Sequence, residues 1–190
     1  MSSEIESKIS GVLVKNVVKI SNQYMQNELL SKGYGEKYEK EFFLNSFETL
    51  YLTYIKKLKV SKAKKNILFD ELIQIYKKNE SDVFTKFLIY RDLRNHGYVV
   101  KNGFGFDSDF LVYSKGHFGQ NGAKYLVFAL NEGTQKKIGY IQKNIEQITK
   151  MGKEPIIAVI ERRGEVIYYK ISKIDFLENK IKSQVQDFDF

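Results

Sequence analysis

Tyr90-Arg91-Asp92-Leu93-Arg94-Asn95-His96-Gly97-Tyr98-Val99-Val100-Lys101 is the stretch on which the reading of this chain turns. Its first half continues a pattern begun by Val83, Phe84, Phe87 and Leu88, with Arg91 one turn on, and this spacing predicts a helix over residues 82–96. Gly97 is placed to end that helix as a C′ glycine, and Tyr98 to Lys101 then reads as a strand. Further strands are predicted at residues 109–114, 124–130, 155–161 and 165–172, with a helix at about residues 137–151 between the second and third of these. Arg162-Arg163-Gly164 joins the last two strands as a short hairpin turn. Helix, three strands, helix, two strands is the order of an α/β sheet domain.

Working outward toward the N-terminus, polar residues at 78–81 separate two helical patterns, and Ser81 can cap the second. The expected organisation is a small α/β domain over residues 1–80, a second domain over residues 81–178 and a tail over residues 179–190. The overall class is α/β (α+β): an N-terminal helical and antiparallel-sheet domain, then a mixed sheet flanked by helices. Within the first domain, Ile9, Val12, Val14, Val17, Val18 and Ile20 predict short strands or a hairpin. A helix is expected over residues 21–32, stopped by Gly33 and Gly35. Phe42, Phe43, Phe47, Leu50, Tyr51, Tyr54, Ile55 and Leu58 recur at three and four, which predicts one helix over residues 41–58. The lysines at 56, 57, 59, 62, 64 and 65 read as a solvated helix end and loop in preference to an RNA patch, and Leu68, Leu72, Ile75 and Tyr76 as a third helix.

The 190 residues are 43% hydrophobic and 14% aromatic, enough apolar surface for one medium domain or two small ones. No apolar run approaches the roughly 20 residues of a membrane span, and the first residues lack a signal layout, so a soluble cytoplasmic protein with no membrane partner is expected. The absence of cysteine excludes disulfides, thiolate catalysis and cysteine-ligated zinc, and His96 and His117 are the only histidines. Neither a metal site nor a cofactor is expected. The net charge of +8 fits an anionic partner, because phosphate neutralisation releases counterions, although a lysine-rich surface has other uses.

Three strings of the second domain, residues 90–101, Asp109-Phe110-Leu111-Val112-Tyr113 and Ala123-Lys124-Tyr125-Leu126-Val127, occur in an order that resembles the archaeal tRNA-intron (tRNA-splicing) endonuclease family. There "DLRxxGYVV" leads to "GxDFxVY", then "HAxYLV", then a helix closing on "RKxLLxAVV", which corresponds here to residues 152–160. Lys32-Gly33-Tyr34-Gly35 in residues 32–40 is similar to a glycine-tyrosine turn of the same family. The resemblance implies a nuclease-like second domain. It implies metal-free removal of introns from precursor tRNA at bulge-helix-bulge motifs, where a ribose 2′-OH attacks its adjacent phosphate to leave a 2′,3′-cyclic phosphate and a 5′-OH. Such chemistry needs a base, an acid and a cation for the phosphorane charge, supplied in the family by Tyr, His and Lys.

Carried over by position, the tyrosine is Tyr113 and the lysine is Lys153, but the histidine position is Gly122. Glycine moves no proton, and losing a positioned acid or base forfeits roughly 10²- to 10⁴-fold in rate. The resemblance therefore implies a structural subunit that works in a hetero-oligomer, a heterotetramer in the two-subunit form, with a catalytic tRNA-splicing endonuclease subunit and precursor tRNA as partners. His117, five residues before Gly122 on a glycine-rich loop, is the alternative acid of an active subunit. Family pairing uses the last strand, here Val166-Ile167-Tyr168-Tyr169, and an acidic loop, here carrying only Glu132 before two lysines. At the stretch that matches the family's RNA-gripping arginine stands Thr149-Lys150-Met151-Gly152. A competing reading is a metal-dependent restriction-type DNA nuclease using Asp107 or Asp109 with Glu161, in which Arg163 replaces the usual lysine. A plain RNA-binding sheet lacks its expected paired surface aromatics.

Overall fold

The computed structural model describes residue 5 and residues 8–131 and 138–172. Two sheets follow one another along the chain, with two helices between them. The first is built from β1 (Ile9–Val14), β2 (Val17–Ile20), β3 (Glu36–Tyr38), β4 (Glu41–Leu44), β5 (Leu58–Lys62) and β6 (Lys65–Ile67), in the order β3-β4-β2-β1-β5-β6. All neighbours are antiparallel except β1 and β5. Helices α1 (Gln23–Ser31), α2 (Ser46–Tyr54) and α3 (Phe69–Lys77) accompany it. On β1 the period of two is clean: Ile9, Gly11 and Leu13 face the core, and Ser10, Val12 and Val14 face out. Gly11 has to be small, because a Cβ there would lie 2.4 Å from Val18 Cγ1.

The expected helix over residues 41–58 is corrected by the structure. Glu41 to Leu44 is a strand, Leu58 opens another, and only Ser46–Tyr54 is helical. The breaking residue is Asn45: its side chain accepts from the Glu48 backbone N–H at 2.9 Å, and Glu48 reaches back to the Asn45 N–H at 3.1 Å. This capping box starts the helix five residues later than the apolar spacing implies. The lysine-rich stretch after α2, read as a helix end and loop, is instead the β5–β6 hairpin, paired Val60 to Ile67 through Lys62 to Lys65.

The second sheet follows the expected order closely. Helix α4 (Val83–Asn95) leads through Gly97 at φ 84° into β7 (Val99–Asn102), β8 (Phe110–Tyr113) and β9 (Tyr125–Asn131). Helix α5 (Ile138–Lys150) crosses to β10 (Glu154–Ile160), which lies parallel to β9, and β11 (Val166–Lys170) closes the order β11-β10-β9-β8-β7. Strand β11 is therefore an edge. Among the described residues no helix is long and apolar enough to cross a membrane.

One apolar core runs through both sheets. Phe47 and Tyr51 of α2 meet Tyr90 of α4, with ring centroids 4.9 and 5.6 Å apart, and Phe47 also meets Phe110 of β8 edge-on at 5.1 Å. A polar clamp beside this core binds the 32–35 turn to the 90–101 stretch. Buried Arg94 donates from Nε to the Tyr34 hydroxyl at 3.1 Å and from Nη2 to the Lys32 carbonyl at 3.0 Å, and its guanidinium lies 3.8 Å from the centre of the Tyr34 ring. Lys101 donates to the Gly35 carbonyl at 2.6 Å, while the buried Glu48 carboxylate accepts the Gly35 N–H at 2.9 Å. Burial pushes the Glu48 carboxyl above its ordinary range, with Lys101 opposing.

Candidate active-site cleft

Strand β8 ends at Tyr113, and the chain turns back to β9 through residues 114–124. The loop holds itself: the His117 N–H donates to the Ser114 carbonyl at 3.1 Å, and the His117 carbonyl accepts from Gln120 at 3.1 Å and Asn121 at 3.0 Å. Gly116 and Gly119 supply left-handed turns at φ 78° and 83°. The loop is pinned to the strand end by Phe118, whose ring meets Tyr113 edge-on at 5.0 Å. At the far side α5 ends, and Gly152 at φ 71° turns the chain into β10. Lys153, just before that strand, is half-buried and donates to the Ala123 carbonyl at 2.7 Å. This contact ties the α5–β10 turn to the start of β9.

Between loop and turn lies an open cleft of about 410 Å³, whose lining includes Ser114, His117, Gly122, Lys124 and Lys153. The structure therefore brings three of the four residues singled out from the sequence, His117, Gly122 and Lys153, onto one cleft. Tyr113 stands next to it: Ser114 lines the cleft, while the Tyr113 ring packs on Phe118. At Gly122 a Cβ would meet nothing within 4 Å, and the backbone there lies outside the left-handed region, so a Cβ is accommodated without strain. His117 Nδ1 sits 2.9 Å from the Lys115 carbonyl. A carbonyl only accepts, so Nδ1 carries the hydrogen and Nε2 is the nitrogen left to exchange a proton. Glu154 at the rim is held below the ordinary carboxylate range by Lys170 and by Lys124.

The residues expected at a subunit contact occupy the outer edge of the second sheet. Val166 and Ile167 are half-buried, and Tyr168 and Tyr169 are 37% and 53% exposed. Tyr168 donates to Asp92 Oδ2 at 2.6 Å, a link between β11 and α4 that no sequence spacing indicates, since the partners stand 76 residues apart. Burial, and then this bond, raise the Tyr168 hydroxyl pKa. Glu132 lies outside the described residues. Asp109, the carboxylate of the restriction-type reading, serves the fold instead: it accepts the Ala129 N–H at 2.7 Å and pairs with Lys86 at 3.3 Å.

Two family models match the chain: tRNA intron endonuclease, N-terminal domain, over residues 9–73, and tRNA intron endonuclease, catalytic C-terminal domain, over residues 83–168. The tRNA-splicing endonuclease of Pyrococcus horikoshii is 31% identical over 177 residues, 93% of this chain and all of the relative. That of Methanococcus vannielii is 32% identical over 146 residues, 76% of this chain and 82% of the relative. That of Pyrococcus furiosus is 31% identical over 147 residues, 77% of this chain and 85% of the relative. With the clamped 32–35 turn, the 90–101 helix-to-strand passage and the cleft behind Tyr113 all in their expected order, the chain belongs to the tRNA intron endonuclease family.

Proposed function

We propose that this chain is a structural subunit of a tRNA-splicing endonuclease, assembling with a catalytic subunit that cuts precursor tRNA at bulge-helix-bulge motifs. The observation that carries this reading is Gly122: the place where the resemblance requires a histidine has room for a Cβ and holds no side chain. In-line attack of the 2′-OH on phosphorus forms the cyclic phosphate and breaks the bond to the leaving 5′-oxygen, which must then gain a proton. On this reading Lys153 in the cleft and Tyr113 beside it are the relic cation and base, and the acid is missing. The edge strand β11, with Val166, Ile167, Tyr168 and Tyr169, is the surface offered to the partner, because an open edge with apolar side chains otherwise templates aggregation. Co-expression with a catalytic subunit, followed by size-exclusion and cleavage of a bulge-helix-bulge RNA in EDTA, tests the reading. A mixed complex that cuts, beside a lone chain that does not, supports it.

A second reading is favoured by one observation. His117 lines the same cleft as Lys153 and has its Nε2 unengaged. On this reading the chain is itself a catalyst and His117 donates the proton. Metal-free cleavage by the lone chain, abolished by His117→Ala, would replace the structural role with this one.

A further inference from the structure

The β5–β6 hairpin and its flanks concentrate charge that the fold does not use. Residues 56–71 hold six lysines against two carboxylates, a net +4 of the chain's +8. Lys56, Lys59, Lys62, Lys64 and Lys65 are exposed, as is Lys8, and none makes an ion pair with a described residue. Of the two carboxylates, Glu71 is spent capping α3, where it accepts the Leu68 N–H at 2.8 Å. Two of the lysines also sit where the backbone disfavours any side chain. Lys56 follows α2 at φ 60°, the position that Gly33 fills after α1 and Gly97 after α4. Lys64, with Ala63, makes the hairpin turn at φ 67° and 48°, where an Asn-Gly pair is the unstrained choice. Blunting of the edge strand explains Lys62 and Lys65. It does not explain Lys56 or Lys64, where glycine gives the same turn at lower cost.

Beside the lysines lies an aromatic surface. A cleft of about 420 Å³ sets Lys8, Lys56 and Lys59 against Leu68 and Phe69. The Phe69 ring lies 6.0 Å from Tyr54, which is 48% exposed, and 5.4 Å from Phe87. Phe84, 46% exposed, extends the row, and the Arg91 guanidinium covers Tyr54 at 5.5 Å. Unpaired lysines that can follow a phosphate backbone, next to partly open rings and a guanidinium on which bases stack, are the two components of a single-strand nucleic-acid surface.

We propose that the surface running from the 62–65 hairpin of the first sheet across Tyr54 to Phe84 of α4 binds an unpaired segment of the RNA substrate, at a place that shares no lining residue with the cleft at Gly122. The inference rests on the splicing role only for the identity of that RNA. Its test uses the full chain and a labelled 12-nucleotide single-stranded RNA, with affinity followed by anisotropy across a salt series. The combined variant Lys62→Ala, Lys64→Ala, Lys65→Ala should lower the slope of log affinity against log salt by about 2, since each lost single-strand phosphate contact removes about 0.7. The corresponding Lys-to-Arg variant should keep the slope, and Phe84→Ala should weaken binding about tenfold at constant slope. An unchanged slope in the alanine variant, or no binding by the wild-type chain, overturns the proposal. Normal RNA affinity combined with loss of subunit assembly does so too, and assigns the surface to a protein partner. Failure of the splicing role shows elsewhere, as absent bulge-helix-bulge cleavage by the assembled complex, and leaves the oligonucleotide result standing.

Discussion

The clamp around Arg94 and the cleft around Gly122 are opposites in how completely their polar groups are used. At the clamp, Arg94, Lys101 and Glu48 are drawn onto the 32–35 turn by bonds of 2.6 to 3.1 Å, and the Tyr34 ring stacks on Arg94. At the cleft, His117 is exposed with one ring nitrogen bonded within its own loop, and Gly122 has nothing within 4 Å of a Cβ. Only Arg94 Nη1 is left there without a hydrogen-bond partner, and a site tied together this closely cannot lose one member without unfolding pressure. The cleft can change a residue and leave the fold intact. The difference is what lets a chain of this family keep its architecture whatever residue stands at position 122, where this one has no side chain.

The largest effect of breaking this contrast is expected at the clamp. Arg94→Ala removes two charge-assisted hydrogen bonds and the stack on Tyr34, and leaves the Tyr34 hydroxyl and Lys32 carbonyl short of a donor. It should cost about 3 kcal/mol, a fall in Tm of roughly 6–12 °C for a chain of this size, measurable by thermal denaturation. Next, Val166→Lys on the edge strand should dissociate the assembled complex on size-exclusion while the chain's own Tm moves little. An unchanged oligomer would place the partner contact elsewhere.

The pH dependence of stability sharpens the comparison further. Burial raises the folded-state pKa of Glu48 above its ordinary 4.5. A carboxyl raised in this way contributes stability that is fully present below the unfolded value and is lost as pH rises through the folded one. Wild type should therefore lose stability relative to Glu48→Gln as pH climbs from about 4.5 toward neutrality, read as diverging Tm curves; parallel curves would contradict the assignment. At the cleft the effects on stability should be smallest. His117→Ala and Gly122→His should each stay within about 0.5 kcal/mol of wild type, because neither position packs into the core.

The second sheet was legible in the sequence because its signals are local. Gly97 ends α4 as expected, and each strand lies within a few residues of its predicted span. The first sheet was less so. Phe42, Phe43 and Leu44 of a strand run straight into Phe47 and Leu50 of a helix, and the junction mimics a spacing of three and four. The hairpin at 62–65 carries no glycine or asparagine at its two turn positions, so nothing in the sequence marks it as a turn. Of the cleft, Lys153 and Gly122 follow from the family strings and His117 from its place on the glycine-rich loop before Gly122; one loop and one turn bring the three together. The Arg94 clamp and the Tyr168–Asp92 bond join residues 60 and 76 positions apart and leave no periodic trace.

Whether position 122 is a vacated acid position in an intact fold is tested most directly by cleavage of a bulge-helix-bulge RNA in EDTA. Wild-type chain alone should cut at a rate at least about 10²-fold below that of an assembled complex containing a catalytic subunit. Within such a complex, Gly122→His should add cleavage activity that Tyr113→Phe removes. Metal-free cutting by the wild-type chain alone, at the rate of the complex and lost on His117→Ala, would contradict the account.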